Sequence, residues 1–143
     1  MAHTYNAGKV GFAWGGIDVT REPGEDVFIK IERDEARFTK KVGVKGRATR
    51  NQSNNAGAQV TVTLMYTSRE NKLLMAAHAA DILAGNGSGI APGTIFDSLN
   101  KAELHAAESM WIAETPDFEW AKEVGEIDWV FDCEAMTDVF AGR

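Results

Sequence analysis

The sequence predicts a mainly β protein, a sandwich or partly closed barrel of about seven strands with one helix, over about 68–84, packed on its flank. Three observations predict it. Most segments alternate apolar and polar residues with the two-residue period of a strand. Clusters of Gly, Pro, Asn, Asp and Ser punctuate those segments at short intervals. Only one stretch, after Thr67, repeats its apolar residues every three or four positions as a helix does.

Taken in order, "VGFAWGGIDV" (10–19) and "VFIKIE" (27–32) read as strands, with Glu22-Pro23-Gly24-Glu25 as the turn of a first hairpin. "RDEARFTK" fits a helical turn or an extended loop, and a further strand is expected at 41–50. "NQSNNAG" (51–57) has the composition of a hairpin loop, rich in residues that tolerate left-handed geometry or bond their own backbone. In the next strand Val60, Val62, Leu64 and Tyr66 point one way and Gln59, Thr61, Thr63 and Met65 the other.

Thr67-Ser68-Arg69-Glu70 then has the spacing of a capping box, in which a hydroxyl and a glutamate three positions on satisfy free helix N–H groups. The expected buried stripe is Leu73, Ala76, Ala77, Ala80, Leu83 and Ala84, and Gly85 stands where a left-handed C-terminal cap belongs. After the loop "GNGSGIAPG" (85–93), "TIFDSL" and "AELHAAESMWIAE" form a hairpin turning at Asn100-Lys101. In the last strand Ile127, Trp129, Phe131, Cys133 and Ala135 share one face; Glu126, Asp128, Val130, Asp132 and Glu134 share the other. The core expected from this pattern comprises Val60, Val62 and Leu64, then Leu73 and Leu83, then Trp111, Trp129 and Phe131.

The totals narrow the function classes. A chain of 143 residues, 44% hydrophobic, suits one domain over 1–143 that buries roughly two-thirds of its unfolded surface. Cys133 is the sole cysteine, so no intrachain disulfide forms and no paired-thiolate zinc site exists. No signal-peptide pattern and no window of about 18 apolar residues is present, so folding in a cytoplasm, away from any membrane, is expected. Net charge is −6, and cations are interspersed with acids except over Lys40 to Arg50, a poor footprint for a DNA-holding protein.

Catalytic patterns are missing. The glycine loop follows the helix instead of preceding it and has no Gly-Lys-Ser/Thr, so it does not read as a phosphate cradle. His3, His78 and His105 stand far apart without metal-ligand spacing. Cys133 shares a face with Trp129 and Phe131, as a buried small hydrophobe would. No catalytic, cofactor-binding or metal-binding residue is assigned, and no cofactor is expected. A small hydrolase using Glu126, Asp128, Asp132 and Glu134 is the remaining enzymatic alternative, and no partnered base supports it. Like charges repeated along one strand face repel one another, so that row reads as a solvated face or as one an assembly uses.

Three stretches, "GRATRNQSNNAGAQVTVTLMYTSRENKLL" (46–74), "AADILAGNGSG" (79–89) and "AESMWIAETPDFEWAKEVGEIDWVFDCEAM" (107–136), resemble bacteriophage tail tube proteins. The order of threonine-rich strand, capped helix, glycine loop, Trp-Ile before Pro-Asp, and Trp-Val-Phe-x-Cys strand carries the likeness from about Gly43 onward, and the first forty residues match more loosely. The resemblance implies a fold shared with type VI secretion tubes, no catalytic residues, and hexameric rings stacked into a hollow tube that conducts DNA during ejection. It further implies a virion tail component assembled in the host cytoplasm, whose partner is itself. Tail sheath, a baseplate or tube initiator, and a tape-measure protein are the further partners, with DNA passing through unbound. A type VI-like secretion tube is the alternative. Strand edges completed by neighbours fit this scheme, with loops 20–26, 33–41 and 51–57 as candidate stacking contacts. Glu126, Asp128, Asp132 and Glu134 are candidates for the channel lining, where they would repel the DNA backbone; the Thr61/Thr63 face is the competing candidate.

Overall fold

The computed structural model describes residues 4–20, 28–99 and 103–140. After a short 3-10 turn at Ala7–Lys9, the chain runs through β1 (Val10–Trp14), β2 (Ile17–Asp18), β3 (Ile29–Arg33), β4 (Phe38–Val42), β5 (Ala48–Gln52) and β6 (Ala58–Met65). Helix α1 (Glu70–Ala84) follows, and then β7 (Ala91–Asp97), β8 (Leu104–Ile112), β9 (Glu126–Cys133) and β10 (Thr137–Val139). One antiparallel sheet has the order β2-β1-β7-β8-β9-β6-β3, with β10 paired to β8; β4 and β5 form a separate two-stranded sheet.

The alternation seen in β6 and β9 is the alternation the structure uses. The two strands pair along their whole length, from Ala58↔Cys133 to Met65↔Glu126. Val60, Val62 and Leu64 stand opposite Phe131, Trp129 and Ile127, and all six are buried on the same face of the sheet. Phe131 meets the edges of Phe12 and Trp14, with ring centroids 5.2 and 5.3 Å apart. Because β1 and β9 are not neighbours in the sheet, those contacts require it to curl over and close its core between two layers. It stops short of a barrel, since β2 and β3 end the order without pairing. Trp14 also donates its indole N–H to the Met110 carbonyl at 2.9 Å, so the largest side chain of β1 carries no unmet polar group into the core.

Gly93 shows how close the layers come. A methyl group there would lie 2.5 Å from the Met110 sulfur, and the β7–β8 register shifts between Ala91 and Gly93 to fit the contact.

Several expectations fail. The run 10–19 is not one strand, because Gly15 and Gly16, both at positive φ, turn β1 into β2. The first hairpin does not form: β1 pairs with β7 and β3 with β6. Its proposed turn residues lie outside the described residues. The strand expected at 41–50 is instead a turn flanked by β4 and β5, and 51–57 is the exit from β5, not a hairpin loop.

The helix departs from expectation as well. It begins at Glu70, and Arg69 at its N-cap makes no side-chain bond; Ser68, not Thr67, receives the Glu70 N–H and donates its hydroxyl to the Glu70 carboxylate. Its buried residues are Glu70, Leu74 and His78, whereas Leu73 is 39% and Leu83 90% exposed. The helix is thus turned by about one residue, or 100°, from the expected stripe. Trp111 is only half-buried on β8 and also falls outside the core. Gly85 does cap the helix in left-handed geometry, its N–H bonding the Asp81 carbonyl.

Asn71 accounts for the abrupt passage from strand to helix. Its amide donates to the carbonyls of Met65 and Tyr66 at 2.9 and 3.2 Å, while its oxygen receives the Trp129 indole N–H at 2.9 Å. One side chain thereby ends β6, starts α1 and satisfies the core tryptophan.

Candidate assembly interface

The outer faces of β6 and β9 are one surface. Thr63 stands opposite Asp128 and donates to its carboxylate at 2.6 Å; Gln59 stands opposite Asp132, with the pair 3.5 Å apart. The two competing channel candidates, the threonines and the acids, therefore occupy the same face. Glu126, Asp128 and Glu134 are exposed and Asp132 is half-buried. Strand β3 continues the face with Lys30 and Glu32, which pair at 2.6 Å. No strand of the described residues pairs with the outer side of β3.

Beyond Arg33 and Ala58 the β3–β6 hairpin does not stop. Asp34 N–H bonds the Gly57 carbonyl and Ser53 N–H the Arg37 carbonyl, which carry the pairing into β4 and β5. The result is an arm whose two strands are each about 17 Å long, at roughly 3.4 Å per residue. Every residue from Glu32 to Gln52 is exposed. Six cations, Arg37, Lys40, Lys41, Lys45, Arg47 and Arg50, lie between Arg37 and Gln52, where there is no acid. They are six of the chain's 15 basic residues, leaving nine against its 21 acids elsewhere.

Alternation puts Phe38, Lys40 and Val42 on one face of the arm with their partners Gln52, Arg50 and Ala48. Arg50 lies over the Phe38 ring, 4.3 Å from its centroid. At the tip, Gly46 takes φ +83° in a turn that leaves Val44 fully in solvent.

On the outer face of the β6–β9 pair, from Thr61 and Val130 to Glu126, a cleft of about 430 Å³ opens between the strands and the segment after β8. Its wall includes Thr61 and five carboxylates, those of Glu114, Asp117, Glu119, Glu126 and Asp128, and no lysine or arginine among its described lining residues. The same segment carries Phe118 and Trp120, stacked with centroids 6.2 Å apart; Trp120 is 77% exposed and donates its indole N–H to the Tyr66 hydroxyl. His78 fastens the segment to the helix, its Nε2 3.1 Å from the Thr115 hydroxyl.

Two titratable groups hold the opposite margin. Burial raises the pKa of Asp138, but hydrogen bonds from His105 and Arg33 outweigh it and hold the carboxyl below its ordinary 3.8. His105 Nδ1 is 2.7 Å from Asp138, and Arg33 pairs with the same carboxylate while donating to the Ala56 carbonyl, so β10, β8 and the root of the arm are tied together. Burial pushes the Cys133 thiol above its ordinary value, and the thiol donates to the Ala58 carbonyl at 3.3 Å. It is an inert core group, not a nucleophile.

Sequence reasoning missed the arm and the cleft as objects. The clustering of cations at 40–50 was the visible signal of the first; the second joins residues distant in sequence, with no local pattern. Of the nominated stacking loops, 33–41 and 51–57 make up much of the arm and its root, and 21–26 lie outside the described residues.

Comparison with known proteins gives a consistent picture. A family model described as the bacteriophage PhiTE tail tube protein matches residues 7–141. Structural protein ORF10 of Pseudomonas phage KPP10 is 31% identical over 119 residues, covering 83% of this chain and 68% of that protein. Among solved structures, the anti-feeding prophage cap that terminates its tube superposes with a TM-score of 0.60 at 10% identity, covering 99% of this chain and 95% of the other. The sheath/tube terminator of an extracellular contractile injection system gives a TM-score of 0.59 at 8% identity, covering 96% and 97%. At those identities the last two establish a shared fold.

Proposed function

The chain belongs to the bacteriophage PhiTE tail tube family, a structural and non-enzymatic family, and from that premise we propose that it closes into hexameric rings that stack into the hollow tube conducting DNA during ejection. The observation that carries the ring is the outer edge of β3, at one end of an eight-stranded sheet, which no strand of the described residues covers. An isolated protein blunts such an edge; an assembly protein completes it with a neighbour's strand. Head-to-tail contacts of this kind close when the rotation between copies closes, and leave two flat faces for stacking.

The polar face shared by β6 and β9 is the wall we assign to the channel. Threonines, glutamine and carboxylates make up this face, and the adjoining Lys30 of β3 is paired with Glu32, so the wall is expected not to hold the phosphates of passing DNA. Asp132→Lys with Glu134→Lys, both away from the acidic cleft, is expected to slow DNA ejection while tubes still form; unchanged ejection removes this lining assignment. A surrounding contractile sheath belongs to the same proposal, by likeness to the injection-system neighbours.

A second reading is that the chain ends a tube instead of building its length, as the names of both structural neighbours suggest. Counting copies per virion by quantitative mass spectrometry separates the two. A tube subunit is present in many rings' worth of copies, and a terminator in one.

A further inference from the structure

We propose that Asn86 is a site of spontaneous deamidation, at which the backbone nitrogen of Gly87 converts the side-chain amide into aspartate and isoaspartate. The reaction asks for a side chain folded back over the next peptide unit, a nitrogen that no hydrogen bond holds, and room beside that nitrogen for a tetrahedral carbon. The loop after α1 supplies all of these. Asn86 Oδ1 receives the Ser88 N–H at 3.1 Å, which closes a turn around the Gly87 peptide nitrogen. Among the described residues nothing accepts the Gly87 N–H. Gly87 has no Cβ and takes φ +82°, and both it and Asn86 are exposed to the water that exchanges their protons.

The Gly87 nitrogen gives its proton to hydroxide and attacks Asn86 Cγ. Negative charge develops on Oδ1, where the Ser88 N–H already donates. The new N–Cγ bond is kept, the Cγ–Nδ2 bond breaks, and Nδ2 leaves as ammonia with a proton from water, which regenerates the hydroxide. Water then opens the cyclic imide at either carbonyl. The sum is amide plus water to carboxylate plus ammonium, with no oxidant and no cofactor.

The fold contains its own comparison. Asn6 and Asn55 are also exposed and make the same turn, receiving the N–H groups of Gly8 and Gly57 at 2.9 Å, but each is followed by alanine. A methyl group there crowds the attacking nitrogen. Asn71 is committed at both ends of its amide, to Met65 and Tyr66 and to Trp129, and the Lys72 N–H after it bonds the Arg69 carbonyl. Asn86-Gly87 is the only Asn-Gly pair in the sequence.

A negative charge is unwelcome at this place. Gly85 caps the helix just before it, so the new carboxylate meets the negative end of the helix dipole. The Asp81 carboxylate belongs to the same return, receiving the Gly89 N–H at 3.1 Å and leaving no room for a Cβ on Gly89. Isoaspartate, besides its charge, lengthens the backbone of that return.

The test incubates the purified full chain at neutral and at mildly alkaline pH and follows each asparagine by peptide mapping, with electron-transfer fragmentation to separate aspartate from isoaspartate. Asn86 is expected to convert about tenfold faster than Asn6 and Asn55 or more, to yield both products, and to speed up as pH rises. Conversion of Asn6 or Asn55 as fast as Asn86 overturns the proposal, and so does an Asn86 that keeps its amide throughout. Those comparisons are made within one wild-type chain. Gly87→Ala should slow the reaction about tenfold, and an unchanged rate overturns the role of the glycine. Asn86→Asp is expected to melt about 1–4 °C below the wild type, and an unchanged melting temperature overturns the charge conflict at the helix end.

Discussion

At the scale of single residues, the subunit depends on side chains that serve two elements at once. Asn71 is the clearest, since its amide closes β6 and its oxygen takes the indole N–H of the buried Trp129. Asn71→Ala leaves that N–H without a partner in the core and is expected to cost about 1–3 kcal/mol in urea unfolding. Asn71→Asp keeps the acceptor and should recover part of the loss. At the opposite margin Asp138 provides a pH signature. Its pKa is depressed in the folded state, so its contribution is fully present above the unfolded carboxylate value of about 3.9 and is lost as pH falls through the lower folded value. The melting-temperature difference between wild type and Asp138→Asn is therefore constant above about pH 5 and shrinks below about pH 4. A difference that grows on acidification would contradict the arrangement.

At the scale of elements, legibility followed the contrast between faces. Strands β6 and β9 were readable because each carries large apolar residues on one side and Thr, Asp or Glu on the other, and the pleat converts that alternation directly into inside and outside. Helix α1 lacked such contrast. Alanines at 76, 77, 79, 80 and 84 surround it, and both Leu73 and Leu74 offer a plausible stripe, so tertiary contacts made the choice, turning Leu74 and His78 inward. Leu74→Ala is expected to cost about 2–5 kcal/mol and Leu83→Ala within about 0.5 kcal/mol in the isolated subunit. Equal costs would restore the other face. The hairpins were harder still, because their turns sit inside runs that look continuous: Gly15-Gly16 within an apolar segment, and Gly43 to Gly46 within a basic one. Pairing partners such as β1 with β7 are set by packing across the whole sheet, and no local spacing encodes them.

At the scale of the whole molecule, the core and the arm are separate parts. The core lies between the curled layers of the large sheet, while the arm contributes no buried residue. Ser53 and Arg37 are already joined by a backbone bond of 2.7 Å, so replacing residues 38–52 by a two-residue glycine turn closes the hairpin at its root. The shortened subunit should melt within about 5 °C of the full chain and form no stacked rods. A subunit that unfolds on this change would place the arm in the fold instead of the interface. The net negative charge of the chain keeps free subunits apart, while the arm concentrates six of its cations.

The account's central claim is that identical copies complete one another's open strand edges. Helical reconstruction of the virion tail by electron cryomicroscopy tests it most directly. The prediction is a tube wall made of this chain in stacked rings, with a neighbour's strand bonded along the outer side of Ile29–Arg33. A tail whose wall contains another protein, or a wall of this chain in which that edge faces solvent, would contradict it.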